Sequence, residues 1–260
     1  RSPSRGLGDV YKRQGVSWDV GIAKNHGFLK GGSFLDSGIF GRGLHLDGNG
    51  DYFEVPHFRG LSEDSNFSLS AWVYLNNLGV DSDQQDSSIF STNGNDVNTM
   101  HLWYDVNSIG IANRSYSFNL GSPEINFNRI NAPDSLALQD SWQHVVVVVD
   151  KTQHILYLDG NEVVRTGFAG NGQALVEGKS IRIGSWDEES GTSSFSGILD
   201  EVRIYQSALS PYDISVLYGN GIGDLGIVPR ISVDANNSAS SINGSCLLYT
   251  SPSPRDGLLS

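Results

Sequence analysis

The sequence predicts an all-β fold, a sandwich of two antiparallel β-sheets with one short C-terminal helix. Three observations carry this. Val145 to Val149 is a run of five β-branched residues, which favours a pleated backbone and, having no polar face, has to be covered on both sides. Asp159-Gly160 follows His154–Leu158 and precedes Asn161–Thr166. It marks a two-residue hairpin, because a type I′ turn needs positive φ at both central residues. With the turn around Asp150–Gln153, these runs make a three-strand meander at the centre of the chain, its first strand inside a core.

The two ends are set aside before the elements are read. Gly6–Gln14 and Cys246–Pro254 are encodable by the two strands of a single DNA word. Arg1–Gln14 and Cys246–Ser260 are therefore expected to be sequencing-adapter scars with no fold of their own. The expected domain runs from 15 to 219, and 220–245 reads as a linker or the start of a truncated next domain.

Gly15 to Phe40 is glycine-rich and weakly patterned, and reads as loop and short edge strand. Gly43–Gly48 alternates, turns at Gly48-Asn49-Gly50-Asp51 and resumes at Tyr52–Val55, which predicts a second hairpin. Phe67–Leu75 places Phe67, Leu69, Ala71, Val73 and Leu75 on one face and Ser68, Ser70, Trp72 and Tyr74 on the other. Strands are expected at Ser88–Ser91, Met100–Tyr104, Ser108–Ala112 and Tyr116–Leu120, with 121–140 mostly irregular. Beyond the meander, Ser180–Gly184 and Gly197–Tyr205 are strands flanking the acidic loop Trp186–Phe195. Ser210-Pro211-Tyr212-Asp213 opens the helix. Serine caps it, proline suits the first helical position, the aspartate faces the positive end of the dipole, and Gly219 is expected to stop it.

The chain carries a net charge of −12, and its single cysteine, Cys246, lies in an end. Five basic and two acidic residues sit in the two ends, so the remainder carries about −15. That charge argues against nucleic acid and anionic membranes. No apolar run approaches the roughly 20 residues of a membrane span. The lack of cysteine between the ends excludes a disulfide-stapled fold and a cysteine metal site.

Seven segments, in order, resemble the laminin-G-like jelly rolls of the concanavalin A-like lectin/glucanase superfamily. They are GLHLDGNGDYFEVP (43–56), FSLSAWVYL (67–75), SSIFS (87–91), SWQHVVVVVD (141–150), LYLDGNEV (156–163), IRIG (181–184) and FSGILDEVRIYQSALS (195–210). Their order and spacing specify the fold more than the function, since the fold hosts lectins, adhesion modules, accessory domains and glycoside hydrolases.

The resemblance implies a structural calcium near the rim, held by the hard oxygen ligands that this ion prefers. The matching positions are Asp47, Asp51 and Asp200. The bland alternative is that Asp47 and Asp51 shape a turn and Asp200 bonds a neighbouring loop. Asp81, Asp83 and Asp86 form either a second cation site or plain solvated charge.

Sugars stack their C–H faces on aromatic rings while their hydroxyls seek polar partners. Trp186 beside Asp187, and Trp103, Tyr104 and Tyr116 near polar loops, have that character. Strand aromatics also pack, as Trp72 and Trp142 are expected to. The laminarinase-like enzymes of this superfamily align carboxylates along one strand in a Glu-x-Asp-x-x-Glu pattern, which is absent here. Asp200 and Glu201 are adjacent and are expected to face opposite sides of their strand.

The expected function is that of a non-catalytic binding module from an extracellular or cell-surface multidomain protein. Its expected partner is a carbohydrate, with calcium as a structural ion. The alternatives are a protein-adhesion or purely structural module, and a glycoside hydrolase.

Overall fold

The valine strand is covered on both faces, and by two different layers. In the computed structural model, β11 (Trp142–Val149) pairs antiparallel with β12 (Gln153–Leu158) and β6 (Phe67–Leu75). Val145, Val147 and Val149 point into the core between the two sheets. Val146 and Val148 point the other way, into a second apolar cluster with Ile155, Tyr157, Tyr205, Leu209 and Ile214. Ile214 belongs to helix α1 (Pro211–Asp224), which lies on the outer face of this sheet. A strand without a polar face is thus buried by a sheet on one side and by a helix on the other.

The structure describes residues 16–17, 27–58, 61, 66–76, 87–92, 99–105, 115–121, 129–150, 152–167, 179–186 and 193–224. Both expected scars, the 225–245 segment, Asp81, Asp83, Asp86, Asp187 and the expected Ser108–Ala112 strand lie outside them. Of the described strands, seven form one sheet. Its order is β13 (Asn161–Gly167), β12, β11, β6, β15 (Ser196–Tyr205), β4 (Gly41–Asp47) and β3 (Ser33–Gly38). The second sheet runs β1 (Val16–Ser17), β2 (Gly27–Lys30), β5 (Tyr52–Val55), β14 (Ile181–Ile183), β7 (Ser87–Thr92), β8 (Thr99–Asp105), β9 (Ser115–Gly121) and β10 (Ile130–Asn131). All named pairings are antiparallel. The two sheets face one another across a single core of some thirty buried apolar side chains, a β-sandwich of jelly-roll type.

The central hairpin follows its turn chemistry. Asp159 and Gly160 both have positive φ, 50° and 78°, as a type I′ turn requires. Asp150 organises the preceding turn, its Oδ1 accepting hydrogen bonds from the Thr152 and Gln153 amides at 2.7 and 2.9 Å. β6 alternates as expected, with Phe67, Leu69, Ala71, Val73 and Leu75 in the main core. Its other face is also covered. Ser68, Ser70 and Trp72 are all buried, and Ser68 ties the chain before α1 to the sheet through the Ser207 carbonyl and the Leu209 amide.

Three expectations need correction. The first concerns Gly43–Val55, which is not a hairpin. β4 belongs to the seven-stranded sheet and β5 to the eight-stranded one, so LDGNGD carries the chain from one sheet to the other. Both runs alternate, and alternation alone does not say which sheet a strand joins.

The second concerns β15. Leu199 and Val202 both reach the core, and the three-residue step between them is taken up by a bulge at which Glu201 has φ of 51°. Asp200 and Glu201 therefore do not face opposite sides; both leave the core on the outer side.

The third concerns the helix, which starts as expected but does not stop at Gly219. Ser210 Oγ and Asp213 bond reciprocally, with the Asp213 amide donating to Oγ at 3.2 Å and the Ser210 amide to Oδ2 at 3.0 Å. The helix then continues to Asp224 through Gly219, Gly221 and Gly223. Each of these glycines costs about 1 kcal/mol relative to alanine, so intrinsic propensity disfavours this half, and the contacts of the helix with the outer cluster come from Ile214 and Leu217 in its first part. Among the described residues no helix is long and apolar enough to cross a membrane.

The double coverage of β11 predicts an asymmetric response to truncation. Val147→Ala, at a fully buried position, is expected to cost about 2–3 kcal/mol in urea unfolding. Val163→Ala, at a partly buried position on the mostly exposed edge strand β13, is expected to cost less than about 1 kcal/mol. Equal costs would contradict this account of the core.

Candidate functional site

The outer face of the eight-stranded sheet collects the aromatic residues that the sequence offers for ligand contact. Strand alternation places His101 and Trp103 of β8 on this face, with Met100, Leu102 and Tyr104 turned into the core. Trp186, three residues beyond β14, folds onto the His101 ring at 4.1 Å between centroids. His101 stacks on Trp103 at 4.4 Å and 19°. The Arg129 guanidinium lies over the Trp103 ring, 4.8 Å from its centroid. The result is a ladder of four planar groups, Trp186–His101–Trp103–Arg129.

The inner rungs are fixed. Trp103 is 5% exposed, and its ring already has His101 and Arg129 against it. Arg129 is ion-paired to Asp105 and donates from Nε to Asn131 Oδ1 at 2.6 Å. His101 Nε2 meets Ser88 Oγ at 3.2 Å. Burial, with a smaller contribution from Arg129, pushes the His101 ring down to about 3, so it is a neutral stacking partner at ordinary pH. Trp186 is the half-buried end of the ladder and retains surface for a ligand.

Of the residues expected to touch ligand, Trp186 and Trp103 are therefore brought together. Tyr104 and Tyr116 are not, and their expected role is corrected. Both are fully buried between the sheets, edge to face at 6.1 Å, and Tyr116 OH donates to Gln143 Oε1 at 3.1 Å. The same alternation that turns Trp103 outward turns Tyr104 inward. His101 and Arg129 were not among the expected site residues. The His-x-Trp spacing in HLWY was the available signal for His101, whereas Arg129 arrives from a distant segment and left none.

The three rim carboxylates are not gathered into one site. Asp47 and Asp51 flank the sheet-to-sheet crossover. Asp47 Oδ1 accepts the Asn49 amide at 2.8 Å, and the Gly50 amide donates to Ser194 Oγ at 3.0 Å. Asp51 packs so tightly against Gly31 that a Cβ there would lie 1.7 Å from its Oδ1. Asp200 lies four residues along β15 from Ser196, the partner of Asp47. Its Oδ2 accepts the Phe40 amide at 2.9 Å and its Oδ1 the Glu201 amide at 2.8 Å. Burial raises its carboxyl to about 7, against the pull of the Phe40 and Ile39 amides and of Arg203. Asp200 thus clasps the β3–β4 turn and does not fit a site shared with Asp47 and Asp51. Among the described residues no three His, Cys, Asp or Glu side chains group as metal ligands.

The ladder makes a stability prediction. Arg129→Met leaves Asp105 buried without its cation and should cost about 2 kcal/mol, below the ~3–5 kcal/mol of a fully buried pair because the guanidinium is partly exposed. Adding Asp105→Asn should recover part of that loss. A single-variant loss under about 0.5 kcal/mol in urea unfolding would show the pair to be incidental.

Residues 47–215 match a laminin G family described as belonging to the concanavalin A-like lectin/glucanases superfamily. A segment of adhesion G-protein coupled receptor V1 from Danio rerio is 28% identical over 156 residues, covering 59% of this chain and 2% of the receptor. The chain thus spans a very small part of that relative. Among solved structures, domain 4 of an extracellular arabinanase (AbnA) of Geobacillus stearothermophilus, in complex with arabinotriose, superposes with a TM-score of 0.55. The identity is 18%, over 79% of this chain and 97% of that one. The receptor-binding domain of botulinum neurotoxin D gives 0.59 at 15% identity, over 80% and 52% of the two chains. At such identities these two structures speak to fold alone. The chain belongs to the concanavalin A-like lectin/glucanases superfamily.

Proposed function

We propose that this member of the concanavalin A-like superfamily is a non-catalytic carbohydrate-binding module of an extracellular multidomain protein. The observation that carries the reading is the half-exposed Trp186 at the end of a preorganised ladder. A rigid aromatic plate spends little conformational freedom on meeting a sugar face. Asp187, which follows it in the sequence, supplies a carboxylate for hydroxyls. The arabinotriose complex of the arabinanase domain supports a carbohydrate ligand on this fold.

The non-catalytic reading is supported by the state of the adjacent carboxylates. Asp200 is occupied by backbone amides, and Glu201 is ion-paired to Arg203. Release of reducing ends from a β-glucan, galactan or arabinan would overturn it. A protein-adhesion module is the second reading, favoured by the name of the receptor relative.

Trp186→Ala separates the two. Loss of binding on an array of neutral oligosaccharides, arabinotriose included, with an unchanged melting temperature supports the carbohydrate reading. Retained glycan binding would remove Trp186 from the contact, and no glycan binding by the parent protein favours adhesion.

A structural calcium at Asp47 and Asp51 belongs to the same proposal. These carboxylates flank a glycine turn whose carbonyls are hard oxygen donors, and the ion would hold the crossover beside the rim. Calcium is expected to raise the melting temperature relative to chelator, by mass action on the native state. Asp47→Ala or Asp51→Ala should abolish that shift while leaving the fold intact. Asp200→Ala should instead destabilise the protein with or without calcium.

A further inference from the structure

We infer that His144 is a latch: its neutral ring holds helix α1 against the valine strand, and acidification releases the helix. This inference is independent of the ligand-binding reading. His144 lies on the outer face of the seven-stranded sheet and is 1% exposed. Its ring stacks on Trp72 at 5.0 Å and on Tyr218 of α1 at 6.3 Å, and Tyr218 in turn stacks on Trp72 at 5.8 Å. Three aromatic rings from β11, β6 and α1 thus close over one another. Gly160 permits the approach, since its backbone lies so near Tyr218 that a Cβ there would come within 3.1 Å of the ring.

The environment of the imidazole accepts only the neutral form. Nε2 meets Ser70 Oγ at 2.9 Å, while Nδ1 is buried with no hydrogen-bond partner among the described residues. A neutral ring protonated on Nε2 leaves Nδ1 as a bare lone pair. An imidazolium would bury both a charge and an N–H that has no acceptor.

Among the described residues, the groups around the ring come from four elements. β6 contributes uncharged Ser70 and Trp72. β15 contributes Arg203, paired with Glu201, and Asp200, which is taken up by amides. The β12–β13 turn contributes Asp159, whose Oδ1 accepts the His144 backbone N–H at 2.9 Å. α1 contributes Tyr218. On β11 itself Trp142, Gln143, Val145 and Val146 carry no charge. Asp159 would favour an imidazolium; burial raises its carboxyl against the pull of the His144 amide and the Gln143 side chain. Burial of His144, followed by Arg203, prevails and holds the ring down to about 3.

Release changes that balance because Tyr218 is part of the cover. With the helix undocked, the ring meets water and rises towards its ordinary value of about 6.5, with Arg203 on β15 still pulling it down. Docking is then undiminished above about pH 6.5. It weakens by a factor of about ten per pH unit as the pH falls from there towards 3. The helix yields before the strands because its second half holds Gly219, Gly221 and Gly223 and its last turn has no basic residue. It persists through its contacts, not its propensity. Undocking uncovers Val146, Val148, Ile155 and Tyr157.

Amide exchange of residues 211–224 between pH 7 and 4.5, corrected for intrinsic rates and compared with β11, reads the latch directly. The helix opening constant is expected to rise about tenfold per pH unit below pH 6.5, with β11 remaining protected. His144→Gln keeps a donor for Ser70 but does not titrate, and its opening constant should be flat over the same range. A flat profile in the parent protein, or an equally steep one in His144→Gln, would overturn the latch. Should His144→Gln not fold, the imidazole resonances of the parent decide: a His144 ring titrating near 6.5 while the helix stays protected excludes it.

Discussion

The structure depends on one constraint, the burial of a strand that has no polar side. β11 presents valines to both faces, so neither face can be left to water. The inward valines close the core between the sheets, and the outward ones require α1. This explains why a sandwich needs a helix after its last strand, and why Ser68, Ser70 and Trp72 on the supposedly polar side of β6 are buried too. The helix is the outer wall of a second small core, and Ser68 at its edge is satisfied locally by Ser207 and Leu209.

Both outer faces use the same device, a neutral histidine stacked among aromatic rings. His101 lies between Trp103 and Trp186, and His144 beside Trp72 and Tyr218. Each ring is held well below its ordinary value first by burial and then by an arginine, Arg129 for the one and Arg203 for the other. A neutral imidazole adds planar contact and a directional hydrogen bond without the desolvation cost of a charge. The consequences differ with what lies on top. Above His101 the ladder ends in a half-exposed tryptophan, a surface suited to a ligand. Above His144 it ends in the helix.

The carboxylates show why residue type alone misleads about metal and catalytic sites. Asp47, Asp51 and Asp200 look alike in sequence, but Asp200 is drawn into the protein to hold the β3–β4 turn. The bulge at Glu201 sends two adjacent acids to the same side of their strand. One of them then serves the backbone and the other an arginine.

The sequence by itself determined the local structure: the strands around the Asp159-Gly160 turn, the inward face of β6, and the Ser210–Asp213 helix start. These follow from side-chain alternation, from the positive φ that a type I′ turn demands, and from capping groups within a few residues of the amides they satisfy. It also implied that β11 needed two covers, though not what they were. Tertiary structure alone decided that LDGNGD crosses between sheets and that the helix runs through its glycines. It also decided that Tyr104 and Tyr116 are core, and that Arg129 completes the Trp103 ladder. Those outcomes depend on which distant segment lies opposite. Sheet assignment, the worth of a docking face and the neighbours of a ring are set by long-range contacts that no short window of sequence contains.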